Sequence, residues 1–274
     1  MKRLVALALA ATAAVLLSAC ASTAPDPKAV AELGGTGKLR AAINFSNPIL
    51  ATRGADGQAS GVSVDLAREA GRRLGLPVEL VLFNSAGNTV EAIKAKQVDL
   101  AFVAIDPVRG ADLDYTAPYV IIEGAYLVRN SSALQRNEDV DRAGTRVAVG
   151  KGSAYDLYLT REVKAATLVR VQTSPVVTGE FLAQNLEVAA GVKQQLEADA
   201  KRVNRTGAGV RLLPGRFMVI EQAMGVPKGR TAAQAWLSSF IEEMKASGFV
   251  ADALRRHGIE GADVAPARKP SSTN

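Results

Sequence analysis

An α/β fold with a largely parallel sheet is what this sequence predicts, and three observations carry the expectation. Short apolar runs rich in β-branched residues alternate with longer stretches whose apolar residues recur at helical spacing. This strand–helix–strand rhythm runs through two successive units. The length of 274 residues suits one large or two medium domains, and a hydrophobic content of 48 % is ample for their cores.

In the first unit, Leu39 to Ile43 reads as a strand. Val64 to Leu74 has helical spacing and stops before Gly75. Val78 to Phe83 is a β-rich run, Val90 to Ala95 a short helix, and Val98 to Ala104 a buried strand. The second unit opens with a strand at Arg146 to Val149 and a helix at Ala154 to Val163. A strand at Leu168 to Val171 is followed by helical patterns at Pro175 to Gln184 and Val192 to Ala200, then by a strand at Val210 to Leu213. Phe217 to Met224 is apolar and extended, with Glu221 and Gln222 embedded in it. Thr231 to Ser247 is a long amphipathic helix ending at Gly248, and Phe249 to His257 continues helically. No internal repeat is present.

The termini read differently. Lys2 and Arg3 precede an apolar run, Leu4 to Leu17, of about 14 residues against the roughly 20 a membrane span needs, which fits the core of a signal peptide. Residues 1–19 are therefore expected to be removed. The ending Leu17-Ser18-Ala19-Cys20 resembles the bacterial lipobox, and the resemblance implies that Cys20 is lipidated and becomes the new N-terminus. Residues 20–36, rich in Ala, Pro, Gly and Thr, read as a lipid-anchored tether, and residues 263–274 as a flexible tail.

Composition excludes several functions. Cys20 is the one cysteine, so no internal disulfide forms, and His257 is the one histidine, so a zinc site of Cys and His ligands is excluded. His257, in Arg255-Arg256-His257-Gly258, reads as a surface or helix-capping residue rather than a triad member. Without residues 1–19 the chain has 31 basic against 27 acidic residues, and no basic run marks it for nucleic acid. No cofactor or metal is expected.

Six stretches, in order, resemble the family 3 extracellular solute-binding proteins of bacterial polar amino-acid uptake. They are Leu39 to Ile43, Gly57 to Ala67 (GQASGVSVDLA), Val98-Asp99-Leu100-Ala101 with Asp106-Pro107-Val108-Arg109, Asp114 to Tyr119 (DYTAPY), Val147 to Ser153 (VAVGKGS), and Gly225 to Gly229 (GVPKG). The resemblance covers about residues 40–260 and implies the two-lobed type II periplasmic-binding-protein fold with two crossing segments. It places lobe 1 at 37–123 and 223–262 and lobe 2 at 124–222, with crossings near Ile122 to Val128 and Phe217 to Met224. Ligand is expected in the cleft between the lobes, which close around it.

The resemblance points to Arg109 as the clamp for a ligand carboxylate, because a guanidinium offers a planar donor fork that stays charged when partly buried. The alternative is a surface arginine pairing with Asp106 or Asp112. Ser153 precedes a helix, so its hydroxyl and the helix N–H groups either meet the same carboxylate or simply cap the helix. Ala104 stands where the family often carries a hydroxyl, leaving backbone alone. Val192 or Gly191 falls where the family carries an aspartate for the ligand's ammonium group. Glu123 and Glu221, on the crossings, either substitute for it or stabilise the hinge. The loop Asn44-Phe45-Ser46-Asn47 after the first strand, and Asn84-Ser85 after the third, are cleft contacts or turn formers.

The expected function is a periplasmic, monomeric, non-enzymatic binding lipoprotein. It delivers a small carboxylate-bearing solute, an amino acid or organic acid, to an ABC permease in the inner membrane. Acylated Cys20 would hold it at a lipid membrane, and Ala21 leaves open whether inner or outer. The alternatives are an enzyme on the same fold, similar to cyclohexadienyl dehydratases, and a ligand-sensing subunit.

Overall fold

The structure, a computed structural model, describes residues 25–268. Residues 1–24, with the signal-peptide and Cys20 lipidation assignments, lie outside the described residues, as do 269–274.

The first secondary element corrects the sequence reading. Within the expected tether, Pro27–Gly34 forms helix α1. Asp26 caps it by accepting the Lys28 N–H at 2.9 Å, and Pro27 occupies the first turn, where its missing N–H costs nothing. Ala29 and Leu33, four residues apart, are fully buried. The Ala- and Pro-rich composition hid a short amphipathic helix with its own start signal.

Strand β1 (Leu39–Asn44) leads through the small hairpin of β2 (Thr52–Arg53) and β3 (Ala59–Ser60) into helix α2 (Val62–Leu74). Gly61, at φ 126°, makes the bend into α2, and a Cβ there would meet Ala51 Cα at 2.8 Å. Strand β4 (Val78–Phe83), helix α3 (Ala86–Lys94) and the wholly buried β5 (Leu100–Ala104) follow. Both β4 and β5 lie parallel to β1, in register Leu39↔Val78 and Ala41↔Leu100. Helical crossovers between parallel strands account for the rhythm seen in the sequence.

A 3₁₀ turn at Arg109–Ala111 and the short β6 (Leu113–Tyr115) lead to β7 (Val120–Arg129). The second unit comprises β8 (Arg146–Gly150), α4 (Ala154–Glu162), β9 (Thr167–Val171), α5 (Val177–Ala183), β10 (Val188–Val192), α6 (Lys193–Asn204) and β11 (Val210–Leu212). Here β8 is parallel to both β9 and β10. Strand β12 (Met218–Pro227) returns the chain to the first unit, followed by helices α7 (Thr231–Ala246) and α8 (Phe249–Arg256).

The sheet path is β4-β1-β5-β12-β7-β10-β8-β9. Its middle pair, β7 and β12, runs antiparallel from Val120↔Gln222 to Gly124↔Met218 and carries the chain across in both directions. Buried clusters divide on either side. One side gathers Leu33, Ile43, Leu66, Leu100, Tyr119, Leu237 and Ile241. The other gathers Leu127, Phe181 and Leu196, with Val147, Tyr155 and Leu159 on the opposite face of its sheet.

Strand β10 is absent from the sequence reading, which begins a helix at Val192, whereas α6 begins at Lys193. The start of the expected tail is also ordered. Asp263–Val264 forms β13 on β7, and the Ala265 N–H donates to the Tyr119 carbonyl at 3.1 Å.

Candidate functional site

The carboxyl ends of β1, β5, β8, β9 and β10 converge where the two units face each other, the place where open α/β sheets collect ligands. A narrow cavity with about 370 Å³ of empty space, part of it open to solvent, lies there. The first unit contributes Asn44, Ser46, Asn47, Ala86, Val103, Ala104 and Arg109. The second contributes Ser153, Ala154, Tyr155, Ser174 and Val192, and β12 contributes Ile220 and Gln222.

Arg109 is 4 % exposed. Asp106 builds its turn, accepting the Val108 N–H on its carboxylate at 2.8 Å and the Gly110 N–H on its carbonyl at 2.9 Å. Arg109 Nη1 donates to the Ala104 carbonyl at 3.0 Å, and Nη2 donates across the cleft to the Gly152 carbonyl at 2.8 Å. Burial lowers its pKa, with Tyr115 and Asp106 acting in the opposite direction. Among the described residues no carboxylate forms an ion pair with it. Asp106 and Asp112, the nearest acids in sequence, are instead paired with Arg161 of α4 at 2.9 Å and with Lys94 at 3.2 Å. A buried guanidinium bonded to carbonyl dipoles alone keeps its charge without a paired anion.

Opposite stands the start of α4. Ser153 caps it by accepting the Asp156 N–H at 3.0 Å, and Asp156 accepts the Gly152 N–H at 2.8 Å in return. The N–H groups of Ala154 and Tyr155 have no hydrogen-bond partner among the described residues, and both residues line the cavity. They carry the partial positive charge of a helix N-terminus. The Tyr155 and Asn47 side-chain oxygens, Oη and Oδ1, are buried without a partner. Burial raises the Tyr155 pKa, opposed by the Ser174 and Ser153 hydroxyls and the Gly150 backbone, which lie near Oη without completing a hydrogen bond of good geometry. Gln222 is buried and its side chain makes no hydrogen bond among the described residues.

The units meet closely around this cavity. Gly152 has φ 70°, and a Cβ there would sit 3.2 Å from Gly87 Cα at the start of α3. Together with Arg109–Gly152 and Asp106–Arg161, this contact marks a closed arrangement.

The structure brings Arg109, Ser153, Ala104 and Asn47 together and leaves four candidates out. Phe45 packs on the first core with Arg53 stacked 5.1 Å from its ring centre. Ser85 caps α3, accepting the Asn88 N–H at 3.1 Å, and Ala86 takes its place in the lining. Glu123 is held at the hinge by Lys193 at 2.9 Å and Arg216 at 2.6 Å, and the Arg216 hydrogen bond, then that of Lys193, lowers its pKa. Glu221 is exposed, on the face of β12 opposite Ile220 and Gln222. Sequence reasoning weighed the charge of Glu221 over the alternation of a strand, which places Gln222 inward. Asn44 and Ser46, from the loop expected in the cleft, join Asn47 in the lining, whereas Tyr155 and Ser174 carry no signal in the sequence beyond lying at a helix start and after a strand.

Comparison with known proteins follows the same lines. The bacterial extracellular solute-binding proteins, family 3, match the chain over residues 39–259. The L-cystine-binding protein TcyJ of Escherichia coli K12 is 24 % identical over 141 residues, covering 51 % of this chain and 53 % of that protein. The chain thus spans about half the length of that curated relative. Two solved structures have a TM-score of 0.72: an ArgBP mutant from T. maritima and a solute receptor for L-cysteine of Neisseria gonorrhoeae. The first is 20 % identical, covering 84 % of this chain and 99 % of its own. The second is 22 % identical, covering 83 % and 92 %. At that identity they establish the fold, the two-lobed type II periplasmic-binding-protein architecture.

Proposed function

The chain belongs to family 3 of the bacterial extracellular solute-binding proteins, and we propose that it captures a small carboxylate-bearing solute between its lobes for an ABC permease in the inner membrane. The observation that carries this reading is Arg109, buried, bonded to carbonyls of both lobes and without an acidic partner among the described residues. In this reading the guanidinium and the free N–H groups at the start of α4 grip one carboxylate from opposite sides, so that bound ligand completes closure. The Ala104 carbonyl orients Arg109, and Ser153 sets the helix start. The binding of cystine and L-cysteine by the relatives is in keeping with a small carboxylate solute.

Among the described residues, no Asp, Glu, His or Lys lines the cavity. Carboxylates and imidazole, the commonest proton-transferring groups, are thus not in that lining, which favours capture over acid–base catalysis. The protein acts in this reading as a periplasmic monomer, with acylated Cys20 holding it at a membrane. A thermal-shift screen of amino acids and organic acids, followed by calorimetry, tests the reading. Arg109→Ala should weaken the selected ligand at least about a hundredfold, the effect of removing one partner of a buried charge pair. Unchanged affinity in Arg109→Ala would overturn the clamp.

A further inference from the structure

The charge balance of the cavity narrows the class of solute beyond a carboxylate. Among the described residues, Arg109 is the one charged side chain in the lining. Among the described residues, the acids on the segments that build the site are paired elsewhere or face away from it. Asp106 binds Arg161 at 2.9 Å, and Asp156 binds Arg170 at 3.0 Å as well as the Gly152 N–H. Glu123 binds Lys193 and Arg216, and Glu221 is exposed on the outer face of β12. The polar atoms left for a ligand are therefore neutral: Asn47 Oδ1 and Tyr155 Oη, both buried and unpartnered, and the amide of Gln222. Val192 and Ile220 add apolar surface.

An α-ammonium group enclosed here would have Arg109 as its charged neighbour and neutral dipoles as its partners. A buried cation without an anion is strongly destabilising, and a second cation nearby adds to the cost. A hydroxyl, a carbonyl or an acylated nitrogen meets the same neutral dipoles without that cost. Accepting the carboxylate reading of this cleft, on which the inference rests, we infer that the solute is a small monocarboxylate whose other polar groups are uncharged, a 2-hydroxy, 2-oxo or N-acylated acid, and that the cleft discriminates against α-amino acids.

The test uses the purified full-length protein and matched probes. For each L-amino acid side chain, the α-amino acid is compared with its 2-oxo, 2-hydroxy and N-acetyl counterparts by melting temperature and then by calorimetry. The expected result is that at least one uncharged-substituent acid binds, that its α-amino counterpart is at least about a hundredfold weaker, and that Arg109→Ala abolishes binding. Val192→Asp, which adds a carboxylate to the lining, should shift the preference at least about tenfold toward the α-amino acid. An α-amino acid that binds as tightly as its deaminated counterpart, and loses affinity in Arg109→Ala, overturns this inference and leaves the carboxylate reading standing. Absence of binding by any carboxylate, or binding indifferent to Arg109→Ala, overturns both.

Discussion

Replacing Arg161 by Met should open the protein. Arg161 lies on α4 of the second lobe, and its Nη1 stands 2.9 Å from Asp106 Oδ2 in the loop that builds the Arg109 turn. Asp106 has a side chain only 4 % exposed, whereas that of Arg161 is 36 % exposed. Two unit charges about 4 Å apart attract by roughly 4 kcal/mol at an effective dielectric of 20. Desolvation of Asp106 and solvent screening of Arg161 reduce this to about 1–2 kcal/mol net. The pair spans the lobes, so this energy belongs to the closed state alone. Its loss shifts the open–closed equilibrium by about 5- to 30-fold, and a ligand bound by the closed form weakens by up to that factor, less where the closed form predominates without ligand. Small-angle scattering of the ligand-free protein should show a larger radius of gyration for Arg161→Met. Calorimetry with the ligand found by screening should show the loss of affinity, carried mostly by faster dissociation. A double-mutant cycle with Asp106→Asn isolates the pair, since Asp106 also accepts the Val108 N–H and its removal alone disturbs the turn. Unchanged scattering, affinity and coupling energy in that cycle would refute the latch.

Three further outcomes follow from particular residues. Gly152→Ala adds a Cβ at φ 70° and 3.2 Å from Gly87 Cα, so it should cost about 1–2 kcal/mol in backbone strain and hinder closure, seen as weaker ligand binding by calorimetry. Leu33→Ala removes a fully buried side chain from α1 and should destabilise the fold by about 2–5 kcal/mol in urea titration, whereas a residue in a free tether would cost nothing. Glu69 has its pKa held down to about 2, from an ordinary 4.5, by the hydrogen bond from Arg72, against desolvation and with help from Arg73. Its ionised form stabilises the fold above about pH 4.5, and this contribution is lost as pH falls toward 2, so Glu69→Gln should flatten the acid limb of a stability–pH curve.

Much of this molecule is legible in its sequence because the governing physics is local. The strands Leu39–Asn44 and Leu100–Ala104 and the helix Val62–Leu74 are written in periodicity and in Gly61 and Gly75. Strand β10 escaped because Val188 to Val192 carries no turn signal before α6 and is defined by pairing with Val128 to Gly124, which lie some sixty residues away. Helix α1 escaped because composition outweighed its cap and the Ala29/Leu33 spacing. In the site, Arg109 was legible as a donor fork in a motif, but its bond to the Gly152 carbonyl depends on how two lobes meet. Glu123 and Glu221 were drawn in by charge on crossing segments. The hinge cations and the alternation of β12 place both outside the cavity. Asn47 and Tyr155 acquire their role from burial without a partner, a property of packing rather than of residue type.

The most direct test of the central claim is a crystal structure of the protein with the tightest ligand from the screen. The ligand carboxylate should lie within hydrogen-bond distance, about 2.7–3.2 Å, of both the Arg109 guanidinium and the N–H groups of Ala154 and Tyr155. A ligand bound outside the inter-lobe cavity, or inside it with its carboxylate turned away from Arg109, would contradict the account.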